Sequence, residues 1–362
     1  MLKPRIDKSL VLFFCICLSL SASIVAAQGT GQQVSLSADT EQGIKLYREG
    51  DTKGAVKSLS AAVAASKDDS EAWYYLGLAL AREDDLKGAR KALETAAKLR
   101  QGFAGAHASL SYVLLRSDKL RDAEKQARLA LKLEPTRPEA HYVLGVVYLN
   151  KGAHDKALES AEAILKASPE FSPALFLKVK ALVGLYGDKY VSIIERYGRN
   201  LPSSEQAIAE RKEKQDALKV YLRGAFENMR AFMKANPNHP DAAALSEYME
   251  TLRIYGGDGG ETDERTHVFK AGETMKKAVI LFKPEPAYTP AARADCIDGV
   301  VRLRLVLSSD GTVKHILPIK TLSHGLTENS IDSARKIKFI PALKDGRPVS
   351  QVVTVEYNFN CY

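Results

Sequence analysis

Tryptophan occurs once and cysteine four times in 362 residues. So little cysteine excludes a disulfide-dense scaffold. The histidines are His107, His141, His154, His239, His267, His315 and His324. No pair has metal-ligand spacing, and no nucleophile elbow appears. His107 and His141 share the repeat position of Trp73, which suits packing. Acidic clusters occur at Asp68-Asp69 and Glu83-Asp84-Asp85, in turns between helical stretches, where a solvated surface accounts for them. Gly256-Gly257-Asp258-Gly259-Gly260 has no strand before it and no lysine-serine pair after it, so it is not a phosphate-cradling loop. The sequence therefore reads as a non-enzyme, with no catalytic residue, cofactor or metal assigned. The formal charge is +8 with lysines and glutamates interspersed. That balance excludes a nucleic-acid surface and leaves only weak attraction to anionic lipid or peptidoglycan.

Long apolar runs are absent except at the start. Lys3, Arg5 and Lys8 precede Leu10–Leu20, and Val25-Ala26-Ala27 leads into Gln28. A basic head, an apolar core and a small-residue end make an export signal, cleaved after residue 27. Cleavage removes those three basic residues and Asp7, leaving +6. The alternative is a retained anchor: Leu10–Ala27 is 18 residues, and ~17–25 can span a bilayer. Either way the rest is expected in the periplasm, free or held at the inner membrane.

What is abundant is a period. Gly43, Gly77, Ser111 and Gly145 are each 34 residues apart. The same step relates Leu46, Leu80, Leu114 and Tyr148, then Ala55, Ala89, Ala123 and Ala157, then Ala62, Ala96, Ala130 and Ile164. Pro135 and Pro169 close two of the units. Small residues at fixed places let paired helices approach closely, and pairs too small to bury a core alone must stack. This pattern resembles the tetratricopeptide repeat (TPR) over about 36–171. Its concave groove is expected to present Tyr74, Tyr112 and Tyr142, with Arg82, Arg116 and Asn150 one turn on. Aromatic and basic side chains there suit an extended peptide with a carboxylate.

A fifth unit begins at Ser172, and Tyr186-Gly187-Asp188 and Tyr197-Gly198 are read as breaking it. Helices are expected over about 203–235 and 241–255 as a solenoid cap, with a turn at 236–240. The segment 172–255 is thus a degenerate repeat with capping helices, and 256–272 a linker.

The final stretch alternates. Val301, Leu303, Leu305 and Leu307 share one face of a strand, while Arg302 and Arg304 share the other, read as solvent-facing. Asp310-Gly311 closes a hairpin. On the return strand, about 312–320, Val313 and Ile316 are out of step, which calls for a bulge. A helix follows, with Thr327 as N-cap, Leu326 stapled to Ile331, and Ile331, Ala334 and Ile337 on one face. In the last strand, Val349–Phe359, Val353, Val355, Tyr357 and Phe359 face inward.

With Tyr288 and Pro290 ahead of it, Gly299, Phe339, Pro341, Ala342 and Asp345-Gly346-Arg347-Pro348-Val349 inside it, this unit resembles the C-terminal domain of TonB, the periplasmic energy transducer of Gram-negative bacteria. The reading is an α+β multidomain chain: an N-terminal α-helical TPR solenoid, then a small ββαβ TonB-like domain over 273–362. The resemblance implies that the first and last strands are antiparallel neighbours, which brings Cys296 and Cys361 together. In an oxidising compartment they form a disulfide. It also implies strand addition by a peptide of an outer-membrane transporter onto Val349, Gln351, Val353, Val355, Glu356, Tyr357 and Phe359. Lys344, Arg347 and Glu356 would tune partner choice. The edge is alternatively covered by the chain before Tyr288 or by a second copy. The TPR groove takes a second protein or peptide. Coupling to a membrane motor requires the retained anchor, and no histidine lies in the apolar N-terminal stretch. The other reading is a scaffold for cell-envelope assembly, with the sheet domain docking or dimerising.

Overall fold

A computed structural model describes residues 37–197, 205–257, 268–269 and 276–361. The signal or anchor segment, most of the 256–272 stretch and His267 lie outside the described residues. Two compact units emerge: 37–151 with 159–174, and 152–158 with 175–361.

The first unit is the repeat. Its helices are α1 (Ala38–Glu49), α2 (Thr52–Ala65), α3 (Ser70–Arg82), α4 (Leu86–Leu99), α5 (Ala104–Arg116), α6 (Leu120–Leu133) and α7 (Pro138–Asn150), followed by α8 (His154–Ala167). From α1 to α7 each helix packs on the next, and α1, α3, α5 and α7 also pack on one another in series. Asp51, Asp69 and Asp85 start α2, α3 and α4 by accepting the backbone N–H three residues on, the usual N-cap bond. The repeat glycine has a direct cause. A Cβ on Gly43 would sit 2.4 Å from Leu59 Cγ, and one on Gly77 would sit 2.6 Å from Leu93 Cγ. Glycine leaves room for the leucine of the paired helix, and Leu59 and Leu93 are fully buried as a result.

The second unit opens with α9 (Ser172–Tyr197), taken here from Leu175. It continues with α10 (Glu205–Ala217), α11 (Lys219–Ala235) and α12 (Ala242–Gly256). The helix expected to break at Tyr186-Gly187-Asp188 runs straight through those residues. The described part of the stretch expected as one helix, 205–235, forms two helices divided at Leu218.

Strands β1 (Val268–Phe269), β3 (Gly299–Leu307), β4 (Val313–Lys320), β6 (Ala342–Lys344) and β7 (Arg347–Phe359) form the main sheet. Its order is β1-β7-β3-β4, with β6 also on β7. Strands β2 (Val279–Phe282) and β5 (Lys338–Ile340) make a separate two-stranded ribbon. Short α13 (Pro290–Ala294) precedes β3, and α14 (Leu326–Ala334) lies between β4 and β5. The strand–strand–helix–strand core read from the alternation is β3–β4–α14–β7. β3 and β7 run antiparallel from Gly299↔Phe359 to Leu307↔Gln351. The β3–β4 register shifts between Arg304 and Val306, and His315 there has φ 50°, so the bulge is present. Cys296 and Cys361 are disulfide-bonded with Cα atoms 5.3 Å apart, because this antiparallel register brings the two ends of the sheet together.

Val301, Leu303, Leu305 and Leu307 bury against Val355, Tyr357, Phe359, Leu326, Ile331, Ala334 and Ile337. One expectation about α14 is corrected. Its N-cap is Gly325, at φ 80°. The Thr327 hydroxyl instead bonds both the amide and the carbonyl of Leu322. Glycine in the left-handed region turns the chain two residues earlier, which frees Thr327 to tie down the preceding loop.

The opposite face is also covered over β4 and the adjoining part of β3, so β3 is not the half-buried strand its alternation suggests. α12 packs on β4. α9 comes so close that a Cβ on Gly187 would lie 2.7 Å from the Ile319 carbonyl oxygen.

Candidate protein-interaction surfaces

On the repeat unit, Tyr74 and Tyr112 are buried and Tyr142 is half-buried. Tyr74 stacks 4.7 Å from the Phe103 ring, and burial pushes its hydroxyl well above the ordinary tyrosine range. Burial does the same to Tyr142. Tyr74 and Tyr142 are therefore neutral, and Tyr74 and Tyr112 are packed rather than presented to a groove. Arg82 lies 3.9 Å over the Tyr47 ring and donates to the Tyr47 carbonyl at 2.8 Å. Arg116 repeats the bond one unit later, donating to the Ala81 carbonyl at 2.9 Å and pairing with Asp84. Both bonds reach 35 residues upstream, one repeat plus one residue. These arginines fasten each repeat to its predecessor by adding a second bond to a carbonyl in the last turn of the earlier helix, which already accepts a long backbone N–H bond. Asn150 stands at the next equivalent place and donates within its own helix, to the Val146 carbonyl.

The histidines are similarly occupied. His107 bonds Gln126, His141 bonds the Pro135 carbonyl, and Trp73 donates to the Lys67 carbonyl. The last two bonds each span six residues, a second repeat-encoded tether. The period signalled that Arg82 and Arg116 correspond, but their partners are set by stacking, which a local pattern does not encode. Near them, Arg137 pairs with Glu134 and Glu139. Burial raises the Glu139 carboxyl above its ordinary value, against the opposing pull of Arg137.

In the second unit the central surface is β7. On one side it pairs with β3 over 351–359. On the other, β6 takes 347–349 and β1 takes Ser350 and Gln351 in parallel. Val349 and Gln351 therefore lie where the far edge is already paired. Beyond them, Val353, Val355, Glu356, Tyr357 and Phe359 have no second strand partner among the described residues. Val355, Tyr357 and Phe359 point into the core, while Thr354 and Asn358 point outward and are exposed. Glu356 pairs with Arg302 across the β3–β7 ladder at 2.7 Å. Lys344 sits over the Phe269 ring, and Arg347 is exposed. The Lys283 ammonium donates to the Glu356 main-chain carbonyl at 2.7 Å and lies 4.5 Å from the Tyr357 ring centre. The Tyr357 hydroxyl is buried with no hydrogen-bond partner among the described residues. Burial, then Glu285, pushes its pKa up to about 12, so it stays a neutral donor.

Alternation places Arg304 on the solvent side; instead it is largely enclosed beneath α9 and α12. It hydrogen-bonds the Tyr186 hydroxyl and lies 5.1 Å from the Tyr190 ring and 4.7 Å from the Tyr255 ring. No carboxylate pairs with it among the described residues. Cation–π attraction in a desolvated box replaces the ion pair. The Tyr255 hydroxyl donates to the His315 carbonyl at 2.9 Å, and Thr251 bonds the His315 ring. No group of three metal-ligating side chains occurs among the described residues, and none of the helices searched there is long and apolar enough to cross a membrane.

Stacked helix pairs of period 34 define a TPR protein, and the tetratricopeptide repeat family model matches residues 40–104 and 109–170. The strand-rich unit supplies the second half of the identification: residues 284–361 match the family described as Gram-negative bacterial TonB protein C-terminal. The chain thus carries TPR repeats followed by a TonB-type C-terminal domain. Both families are non-catalytic protein-interaction modules. No curated protein matches the chain. Among solved structures it is similar to MamA from Desulfovibrio magneticus RS-1, at 20% identity and TM-score 0.39, over 54% of this chain and 98% of that one. It is similar at 18% identity and TM-score 0.39 to YrrB, titled a TPR protein with an unusual peptide-binding site, over 59% and 92%. It is also similar to the first TPR of Spaghetti (RPAP3) bound to an HSP90 peptide, at 21% identity and TM-score 0.30, over 32% and 95%.

Proposed function

We propose that the chain is a periplasmic TonB-like adaptor. The β7 edge takes an extended segment of an outer-membrane transporter by strand addition, while the TPR groove holds a second protein. The supporting observation is the far side of β7 from Val352 to Phe359, a straight strand whose second ladder is unfilled among the described residues. A guest strand gains main-chain hydrogen bonds there, and inward side chains fixed by the core keep the edge rigid. Lys283 would give up its bond to the Glu356 carbonyl as the guest arrives. A role in energy transduction requires in addition that the 10–27 stretch be retained as an anchor.

The test is photo-crosslinking in the envelope from position 354, whose side chain points outward. Full-length protein carrying Thr354→benzoylphenylalanine should crosslink to a transporter. Crosslinks only to a second copy would replace the adaptor with the docking scaffold. Mass spectrometry of the mature N-terminus tests the anchor: a chain beginning at Gln28 removes motor coupling.

A further inference from the structure

Among the described residues the β2–β5 ribbon gathers the most exposed large apolar side chains. Among the described residues ten large apolar side chains stand exposed, and five of them, Val279, Ile280, Leu281, Phe282 and Ile340, belong to this ribbon. Leu281 and Phe282 are 63% and 60% exposed. Successive side chains of a strand point to opposite faces, and all four of β2 are exposed. Both faces of β2 therefore meet water. The segments that form the ribbon are also one-signed. Between Lys276 and Pro284, and between Arg335 and Lys344, there are seven basic residues and no acidic one. The register, Val279↔Ile340 and Phe282↔Lys338, puts Lys276 and Lys277 at one end of the apolar patch and Lys336 and Lys338 at the other. These four lysines are exposed and make no ion pair among the described residues.

We propose that this ribbon is a membrane-surface anchor that inserts into the interface of an anionic phospholipid bilayer. Two arguments select that occupant. Pairing of two β2 edges in a second copy would satisfy backbone groups yet leave side chains on both faces of β2 in water. A bilayer interface surrounds the strand and removes them all. Lys283 and Arg335 pair with Glu285 and Asp332, but the four lysines around the apolar tip, unpaired among the described residues, complement an anionic headgroup layer, and the two terms add in interfacial binding. The lysine stems can lie along the acyl boundary while their ammonium groups stay among the phosphates. The β7 edge plays no part in this contact.

The test uses the full chain with Phe282→Trp, an exposed position outside the core. The parent supplies the baseline from Trp73, the one natural tryptophan. With phosphatidylcholine–phosphatidylglycerol vesicles the new emission should shift to the blue and be quenched by brominated acyl chains. Adding Lys277→Gln and Lys338→Gln should weaken vesicle partitioning of this site about fivefold per charge removed. Emission from position 282 that vesicles leave unchanged would overturn the proposal. A shift of equal size with neutral vesicles, unmoved by the lysine exchanges, would overturn it too. So would a shift that follows protein concentration without lipid, which would identify a second copy as the occupant. A tryptophan at position 282 reads this contact alone, so an anchor elsewhere in the chain does not mask the outcome.

Discussion

Gly187→Ala separates a helix that merely precedes the sheet from one seated on it. The added methyl would lie 2.7 Å from the Ile319 carbonyl oxygen, 3.2 Å from its carbon and 3.3 Å from its Cα. All three are backbone atoms of Ile319, near the end of β4, so no side chain can swing aside. Overpacking of this kind costs ~1–3 kcal/mol. Alanine recovers about 1 kcal/mol of helix propensity. The net expectation is a loss of up to about 2 kcal/mol, with the Tyr186–Arg304 contact loosened. Gly224→Ala is the internal control. It too lies inside a helix of the same unit, but its nearest neighbour would be Leu182 Cδ1 at 3.4 Å, an ordinary contact. That variant should gain up to about 1 kcal/mol. Urea unfolding of the disulfide-intact full chain, followed by tyrosine near-ultraviolet dichroism, reads both. Opposite signs are expected. If Gly187→Ala is as stabilising as Gly224→Ala, α9 does not press on β4 and the covered face is wrong.

Further outcomes follow from the same geometry. Replacing Cys296 and Cys361 by serine opens a loop of 65 residues; loop-closure entropy puts the loss at about 4 kcal/mol, checked by a lowered urea midpoint that matches the reduced parent. Burial holds the His315 imidazole below its usual range, against Glu250 and Glu247 and with help from Lys314 and Arg253. The native state then binds fewer protons than the unfolded chain, so this contribution is complete above about pH 6.5 and lost as pH falls toward the folded value. His315→Asn, which tolerates the positive φ, should flatten that acid-side slope in unfolding titrations. Arg116→Ala should lower repeat-unit stability by about 1–2 kcal/mol, since it removes a charge-assisted bond to a helix-end carbonyl. Peptide affinity unchanged beyond that stability loss would confirm its fastening role, read by thermal unfolding beside calorimetric titration.

The repeat was legible because its spacing constrains stacking itself: glycine at 43 and 77 and alanine at 55 and 89 are where helices touch. The β3–β4–α14–β7 order was legible from alternation, and the disulfide from the family's antiparallel ends. Three features were not. Gly187 looks like a breaker in one dimension and is a contact point in three. Arg304 alternates with leucines as a surface residue would, yet three tyrosines from two distant helices enclose it. The α14 cap moved from Thr327 to Gly325 because a left-handed residue turned the chain first. The first two rest on partners far away in the sequence; the cap rests on a local choice between two candidate residues.

The central claim is that β7, whose second ladder is unfilled among the described residues, takes a guest strand there. An antiparallel partner engages alternate amides of a strand, so β3 should protect one set of β7 amides over 352–359 and leave the other set to exchange quickly. Hydrogen exchange of the full chain, with and without the transporter segment captured by crosslinking, reads this directly. Fast alternate amides that become protected on binding are the predicted result. Protection of both sets in the chain alone, or no gain with the segment bound, would contradict the account.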